Sequence, residues 1–137
     1  MDNAKTMRSA YERINAGNLS GFADLLADNF VEHEEVPGIP PTKGGVLEYF
    51  RMLTSAFPDM QMTVDDIIAS GDKAVARVTV AATHEGAFMG VPPTNKRVQM
   101  KLIDIMQFDA SGLVCAHWGI ADMMSLMQQL GAVTAPA

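Results

Sequence analysis

Met60-Gln61-Met62-Thr63-Val64-Asp65 alternates apolar and polar side chains at every second position, the period of a strand with one buried face. Just upstream, Val46, Leu47, Phe50, Leu53, Thr54 and Phe57 recur at helical spacing, and Pro58 stands where the period changes, because proline cannot continue a helix. The chain is therefore expected to be helical before Pro58 and sheet-forming after it. Ser70-Gly71-Asp72 supplies a hairpin turn, so a strand Lys73–His84 should run back beside the first. A second long strand, Arg97–Phe108, follows the loop Glu85–Asn95, and Asp109-Ala110-Ser111-Gly112 turns it into a third, Leu113–Ala121. The last element is a helix, Asp122–Leu130, stopped by Gly131.

Upstream, Met7, Tyr11 and Ile14 share one face of a helix over about 3–16, closed by Gly17-Asn18. A short second helix is expected to carry Leu19, Phe22, Leu25 and Leu26. Phe30-Val31-Glu32-His33-Glu34 then reads as a short strand before the loop Pro37–Pro41, and Thr42 is placed to cap the third helix. Helices first and hairpin-linked strands after them predict an α+β fold, with three N-terminal helices on one face of a curved antiparallel sheet and a short C-terminal helix. Residues 1–131 are expected to form one domain and 132–137 a frayed tail. A chain of 137 residues suits that size.

The balance of 16 acidic against 10 basic side chains, net −6, is opposite in sign to what phosphate backbones and anionic lipids require, so neither nucleic acid nor a membrane is an expected partner. No apolar run approaches the ~20 residues of a spanning helix and the start lacks a signal-peptide layout, which makes the cytoplasm the expected location. Eleven methionines suit an adaptable apolar core or pocket.

In Arg97–Phe108 one parity holds Val98, Met100, Leu102, Asp104 and Met106, the other Gln99, Lys101, Ile103, Ile105 and Gln107. Neither is cleanly polar, as a solvated face would be. The expectation is a homodimer packed through the sheet, with Val98, Met100, Leu102 and Met106 facing the partner.

Phosphate-binding glycine loops are absent and Pro37 interrupts any zincin-like spacing after His33-Glu34, so no metal or organic cofactor is expected. Cys115 and His117, two apart on a strand, would share a face and could pair as nucleophile and base, although a buried structural thiol is the commoner role. The remaining acid–base groups are His33, His84, Gln107, His117 and Asp122. Asp122 also stands where it would cap the last helix. His84 and His117 also fit ordinary core histidines, and His33, flanked by Glu32, Glu34 and Glu35, also fits a solvated acidic edge.

Several segments together resemble one family. They are Asn29–His33, Phe57-Pro58-Asp59-Met60, Ser70–Arg77, Thr83–Thr94, His117-Trp118 with Asp122, and Gln128-Gln129-Leu130-Gly131. In order and spacing, over about 7–131, they are similar to the SnoaL-like polyketide cyclases, or ester cyclases, of the nuclear-transport-factor-2-like superfamily. The resemblance implies a cone-shaped α+β fold around a deep apolar cavity. It further implies a cofactor-free intramolecular aldol condensation of a small hydrophobic carbonyl compound or aromatic polyketide ester. By position Asp122 would be the general base, and His33 and Gln107 its polar helpers. Phe50, His84, Phe88, Met89, Met106 and Trp118 would contact the ligand. Another acid–base enzyme on the same scaffold (isomerase, dehydratase or hydrolase) and a non-catalytic binding module stay open, since one fold hosts many functions.

Overall fold

The computed structural model describes residues 2–134. The elements are α1 (Asn3–Asn15), α2 (Leu19–Ala23), β1 (Leu26–Glu32), α3 (Lys43–Ala56), β2 (Gln61–Ser70), β3 (Lys73–Thr83), β4 (Arg97–Phe108), β5 (Val114–Ala121) and α4 (Met123–Gln129). Of the expected tail, 135–137 lie outside the described residues. Each helix starts on a side-chain oxygen that accepts an otherwise orphaned amide: Asp2 from Lys5, Asn18 from Gly21, Thr42 from Gly45 and Asp122 from Ser125.

The strands form one curved sheet in the order β1-β5-β4-β3-β2. Neighbouring strands from β2 to β5 are antiparallel, as expected from their hairpin turns. At the edge, β1 runs parallel to β5, which makes the sheet mixed rather than antiparallel throughout. The cause is connectivity: α3 and three strands separate the two, so β1 joins by a crossover and not by a hairpin. β1 also starts earlier than its apolar run suggests. Leu26, expected in the second helix, pairs with Val114, and Val114 N–H donates to Leu25 O at 2.8 Å.

α1 packs on β2 and β3, α3 on β1, and α4 on β4. Met7, Ala10, Tyr11 and Ile14 supply the buried stripe of α1, against Ala74, Ala76 and Val78 of β3. The face expected to meet a partner is corrected here. Val98, Met100, Leu102 and Met106 point inward and line an internal cavity, because their register partners Ala82, Val80, Val78 and Ala74 are on the helix-covered face. Ile103 and Ile105, of the other parity, lie on the uncovered face.

Gly45 has no room for a side chain, because a Cβ there would run into the carbonyl oxygen of Pro40 in the loop between β1 and α3. Its neighbour Gly44 meets nothing closer than Thr42 Oγ1 at 3.9 Å. Gly45→Ala should therefore destabilise the fold by roughly 1–3 kcal/mol through overpacking against backbone. Gly44→Ala should be neutral or stabilise by up to ~1 kcal/mol through helix propensity. Urea unfolding of the two variants checks the contrast.

Candidate functional site

The concave face of the sheet and the helices enclose a cavity of about 500 Å³. Its walls are apolar and aromatic, with Phe22 edge-on to Phe50 at 5.3 Å and Phe57 edge-on to Phe88 at 5.1 Å. Met60, Met62, Met100, Met106 and Met123 line it as well. One polar cluster interrupts these walls. It comes from four elements and the start of one loop: Tyr11 of α1, Glu32 of β1, Glu34 just beyond it, Asp104 of β4 and His117 of β5.

Local strand geometry explains the convergence. Side chains alternate along β1 and its extension, so Glu32 and Glu34 face the cavity and His33 faces out. Glu32 pairs with His117, and His33 N–H donates to His117 O at 2.9 Å. Asp104 sits opposite Gly119, two pairs along from Met106 and His117 and so on the same face. His117 Nδ1 lies 2.6 Å from Glu32 Oε1 and Nε2 lies 2.7 Å from Asp104 Oδ1. Tyr11 donates to Asp104 Oδ2 at 2.5 Å. The result is a chain running Tyr11–Asp104–His117–Glu32.

Burial alone would lower the pKa of His117, but hydrogen bonds to Asp104 and Glu32, together with their charges, raise it to about 10. His117 is thus an imidazolium between two carboxylates at neutral pH. Glu34 is different. Burial pushes its pKa up, the His117 charge pulls it down, and the charges of Asp104 and Glu32 push it up again, for a net rise. Its carboxylate has no hydrogen-bond partner among the described residues. Burial, and then the charges of Glu34 and Glu32, raise the Tyr49 hydroxyl to about 12, so it remains a hydrogen-bond donor. Tyr11 is held above the ordinary tyrosine range by burial and by Asp104.

Glu32, Glu34 and His117 each offer one ligand atom, all within 4.8 Å of one another. A metal would need a lone pair on His117, whose two nitrogens both face carboxylate oxygens at hydrogen-bond distance, so this donor set suits a proton better than a cation. Among the described residues no lysine or arginine lines the cavity.

Of the residues expected to contact a ligand, Phe50, Phe88 and Met106 line the cavity. The structure does not bring Asp122, His33 and Gln107 together. Asp122 is exposed, and its Oδ1 accepts Ser125 N–H at 3.1 Å as the α4 cap. His33 stacks on Trp118 outside the sheet, with ring centroids 4.6 Å apart and planes 4° from parallel. Gln107 Nε2 donates to Asp72 Oδ2 at 2.8 Å, also outside the cavity. Trp118 pairs with the outward Ile105. Met89 is 61% exposed at a turn with φ 48°. His84 is fully buried beside Phe57, and its Nδ1 accepts Thr94 N–H at 3.2 Å, which ties down the loop before β4. Cys115 does not share the His117 face. A register shift between Gln107 and Phe108 makes it the extra residue of a bulge, its thiol turned to Gln107 O at 3.5 Å.

Asp104, Glu32, Glu34, Tyr11 and Tyr49 are the polar residues that sequence reasoning missed. One signal was present: Asp104 is the only charged residue on the otherwise apolar parity of its strand.

A cone-like α+β sheet closed by helices over an apolar cavity is the nuclear-transport-factor-2-like fold. Within it, the family model of the SnoaL-like polyketide cyclases matches residues 5–130, and the chain belongs to that family. It is similar to IdmH from Streptomyces antibioticus, suggested to be a polyketide cyclase, at 31% identity and TM-score 0.84 over 96% of this chain and 99% of that one. Similarity to AclR from Streptomyces galilaeus, for which a hydroxylase role is suggested, is 30% with TM-score 0.87, over 98% and 84% of the two chains. TsrD from Streptomyces laurentii is 29% identical with TM-score 0.87, over 97% and 99%. No curated protein matches the chain.

The raised pKa of His117 has a thermodynamic consequence. The unfolded chain releases this proton near pH 6.5 and the folded one near 10. Stability from this group is complete below about pH 6.5 and is lost as pH rises towards 10, at no more than about 1.4 kcal/mol per pH unit for one proton. Glu34, also raised, contributes with the same sign at lower pH. Urea midpoints should decline from pH 6.5 to 9.5, and His117→Gln should flatten that decline.

Proposed function

We propose that this protein is an enzyme performing an intramolecular aldol ring closure, by general acid–base chemistry, on an apolar carbonyl compound held in the cavity, with Glu34 as the proton-transferring group. The observation that carries this reading is the Glu34 carboxylate. It is unpaired, partly desolvated and raised above the ordinary glutamate range in an apolar cavity, the condition that brings a carboxylate towards useful basicity. The family supports the substrate class, since its members bind small polyketide-like ligands.

In the proposed reaction Glu34 takes a proton from a carbon between two carbonyls. The enolate carbon bonds to a second carbonyl carbon of the same molecule, and the new alkoxide takes the proton back from Glu34. Tyr49 donates a hydrogen bond to the enolate oxygen. His117 has both N–H groups committed, so it offsets part of the charge of Glu32 and Asp104 rather than touching substrate. No step draws on a group beyond these side chains and the substrate.

A second reading keeps Asp122 as base, without His33 and Gln107, on the ground that Asp122 lies between the cavity-lining Ala121 and Met123. Turnover of aromatic polyketide esters and smaller β-dicarbonyls by two variants separates them. Glu34→Gln should lose on the order of 10²–10⁴-fold in turnover with little change in ligand affinity. Asp122→Asn should keep turnover and stay within roughly 1 kcal/mol of parent stability, because asparagine caps a helix as aspartate does. The reverse pattern would hand the role of base to Asp122.

For the assembly we infer a homodimer through the outer sheet face. Ile68, Ile103 and Ile120 are 64%, 51% and 82% exposed there; Ile103 pairs with Ile120, and the helices pack on the opposite face. Light scattering at micromolar concentration should give twice the chain mass, and Ile120→Glu should give the monomer mass. A monomeric parent protein would refute this assembly.

A further inference from the structure

Gly119 lies in the interior of β5, where glycine weakens a strand and signals a close approach by another group. Its backbone does not require glycine, since it is not among the residues with positive φ. Space does. A Cβ at this position would stand 2.5 Å from Glu34 Oε2, 2.8 Å from Asp104 Oδ1 and 2.9 Å from His117 Cε1, all closer than real Cβ contacts allow.

These three neighbours are not equally able to yield. Asp104 sits in a central strand and is hydrogen-bonded by Tyr11 at 2.5 Å and by His117 at 2.7 Å. His117 is held at both ring nitrogens. Glu34 lies beyond the end of β1, and its carboxylate is the far end of a flexible side chain with nothing bonded to it. A methyl group at 119 would therefore displace Glu34 furthest, while Asp104 and His117 would each have to give by a few tenths of an ångström.

We infer that Gly119 is the positioning residue for Glu34: the side chain it lacks leaves the seat that the Glu34 carboxylate occupies against Asp104 and His117. This rests on the reading of Glu34 as the reacting carboxylate and adds what keeps it in the cavity. Without the seat, Glu34 swings towards water and loses the burial and the neighbouring charges that perturb it.

The experiment uses the whole chain, carrying Gly119→Ala, Glu34→Ala or both, with carboxyl and imidazole titrations followed by carbon-13 NMR. In Gly119→Ala the Glu34 midpoint should fall into the ordinary glutamate range, while His117, still between Glu32 and Asp104, keeps its raised midpoint. With Glu34 already removed, Gly119→Ala should lower the thermal midpoint by less than it does alone, the remainder being the contacts with Asp104 and His117. If Gly119→Ala alone does not fold but the double variant does, the clash is with Glu34 and the proposal stands. An unchanged Glu34 midpoint in a folded Gly119→Ala protein overturns it, as does equal damage with and without Glu34. Turnover of Glu34→Gln tests the function separately: full activity there removes the catalytic reading and leaves the seat itself untouched.

Discussion

Two short hydrogen bonds from one imidazole hold this architecture to its chemistry. His117 meets Glu32 at 2.6 Å and Asp104 at 2.7 Å, linking the parallel edge strand β1 to β5 and β4 across the inner face of the sheet. A buried charge is tolerable only when paired, and here one cation is shared by two anions. Loss of one partner from such a cluster costs about 3–5 kcal/mol, because an uncompensated charge stays behind. The position of α1 follows in part from the same constraint, since Tyr11 satisfies the remaining Asp104 oxygen and also packs in the buried stripe of the helix.

The rest of the cavity asks little of polar chemistry and much of shape. Aromatic edges and methionines make its walls, and thioether side chains repack at low cost around ligands of different outline. The opposite end is fixed more firmly. His84 anchors Thr94, and Gly86 passes so close to the end of α3 that a Cβ there would lie 2.5 Å from Ser55 O. Rigidity at both ends with adaptable walls between them suits a pocket that must orient one reactive carbon while tolerating variation elsewhere.

Much of the fold was legible in the chain because it depends on local rules. The change of period at Pro58, the caps at Thr42 and Asp122 and the turn at Ser70-Gly71-Asp72 are each decided within a few residues, and strand Arg97–Phe108 was bounded as observed. The parallel placement of β1 was not legible, because nothing local tells an edge strand which neighbour it will find. Parity also misled. The pattern shows Val98, Met100, Leu102 and Met106 as one face but not which way it points, since an internal cavity and an interface want the same apolar residues. Asp104 within that face was the clue to a buried polar site, and its partners Glu32, Glu34 and His117 come from segments far apart in sequence. The bulge at Cys115 removed the apparent pairing of that thiol with His117, a shift that no two-residue period foresees.

The charge balance of the cluster connects these observations. Glu32 and Asp104 share one imidazolium, so the trio already carries a net charge of −1 before Glu34 is counted, and the pull of His117 on Glu34 is opposed by both carboxylates. Two like charges about 4 Å apart repel by about 4 kcal/mol at the effective dielectric of a partly buried site, and the apolar walls keep water from relieving it. Burial is the largest cause of the raised proton affinity of Glu34; the His117 charge opposes it, and the repulsion from Asp104 and Glu32 adds to it. With Glu34 protonated the cluster is one cation short of balance and with Glu34 ionised two short, so it favours the proton on a carboxylate that no hydrogen bond holds in place, which is the property a group must have to take a proton from carbon and return it to oxygen.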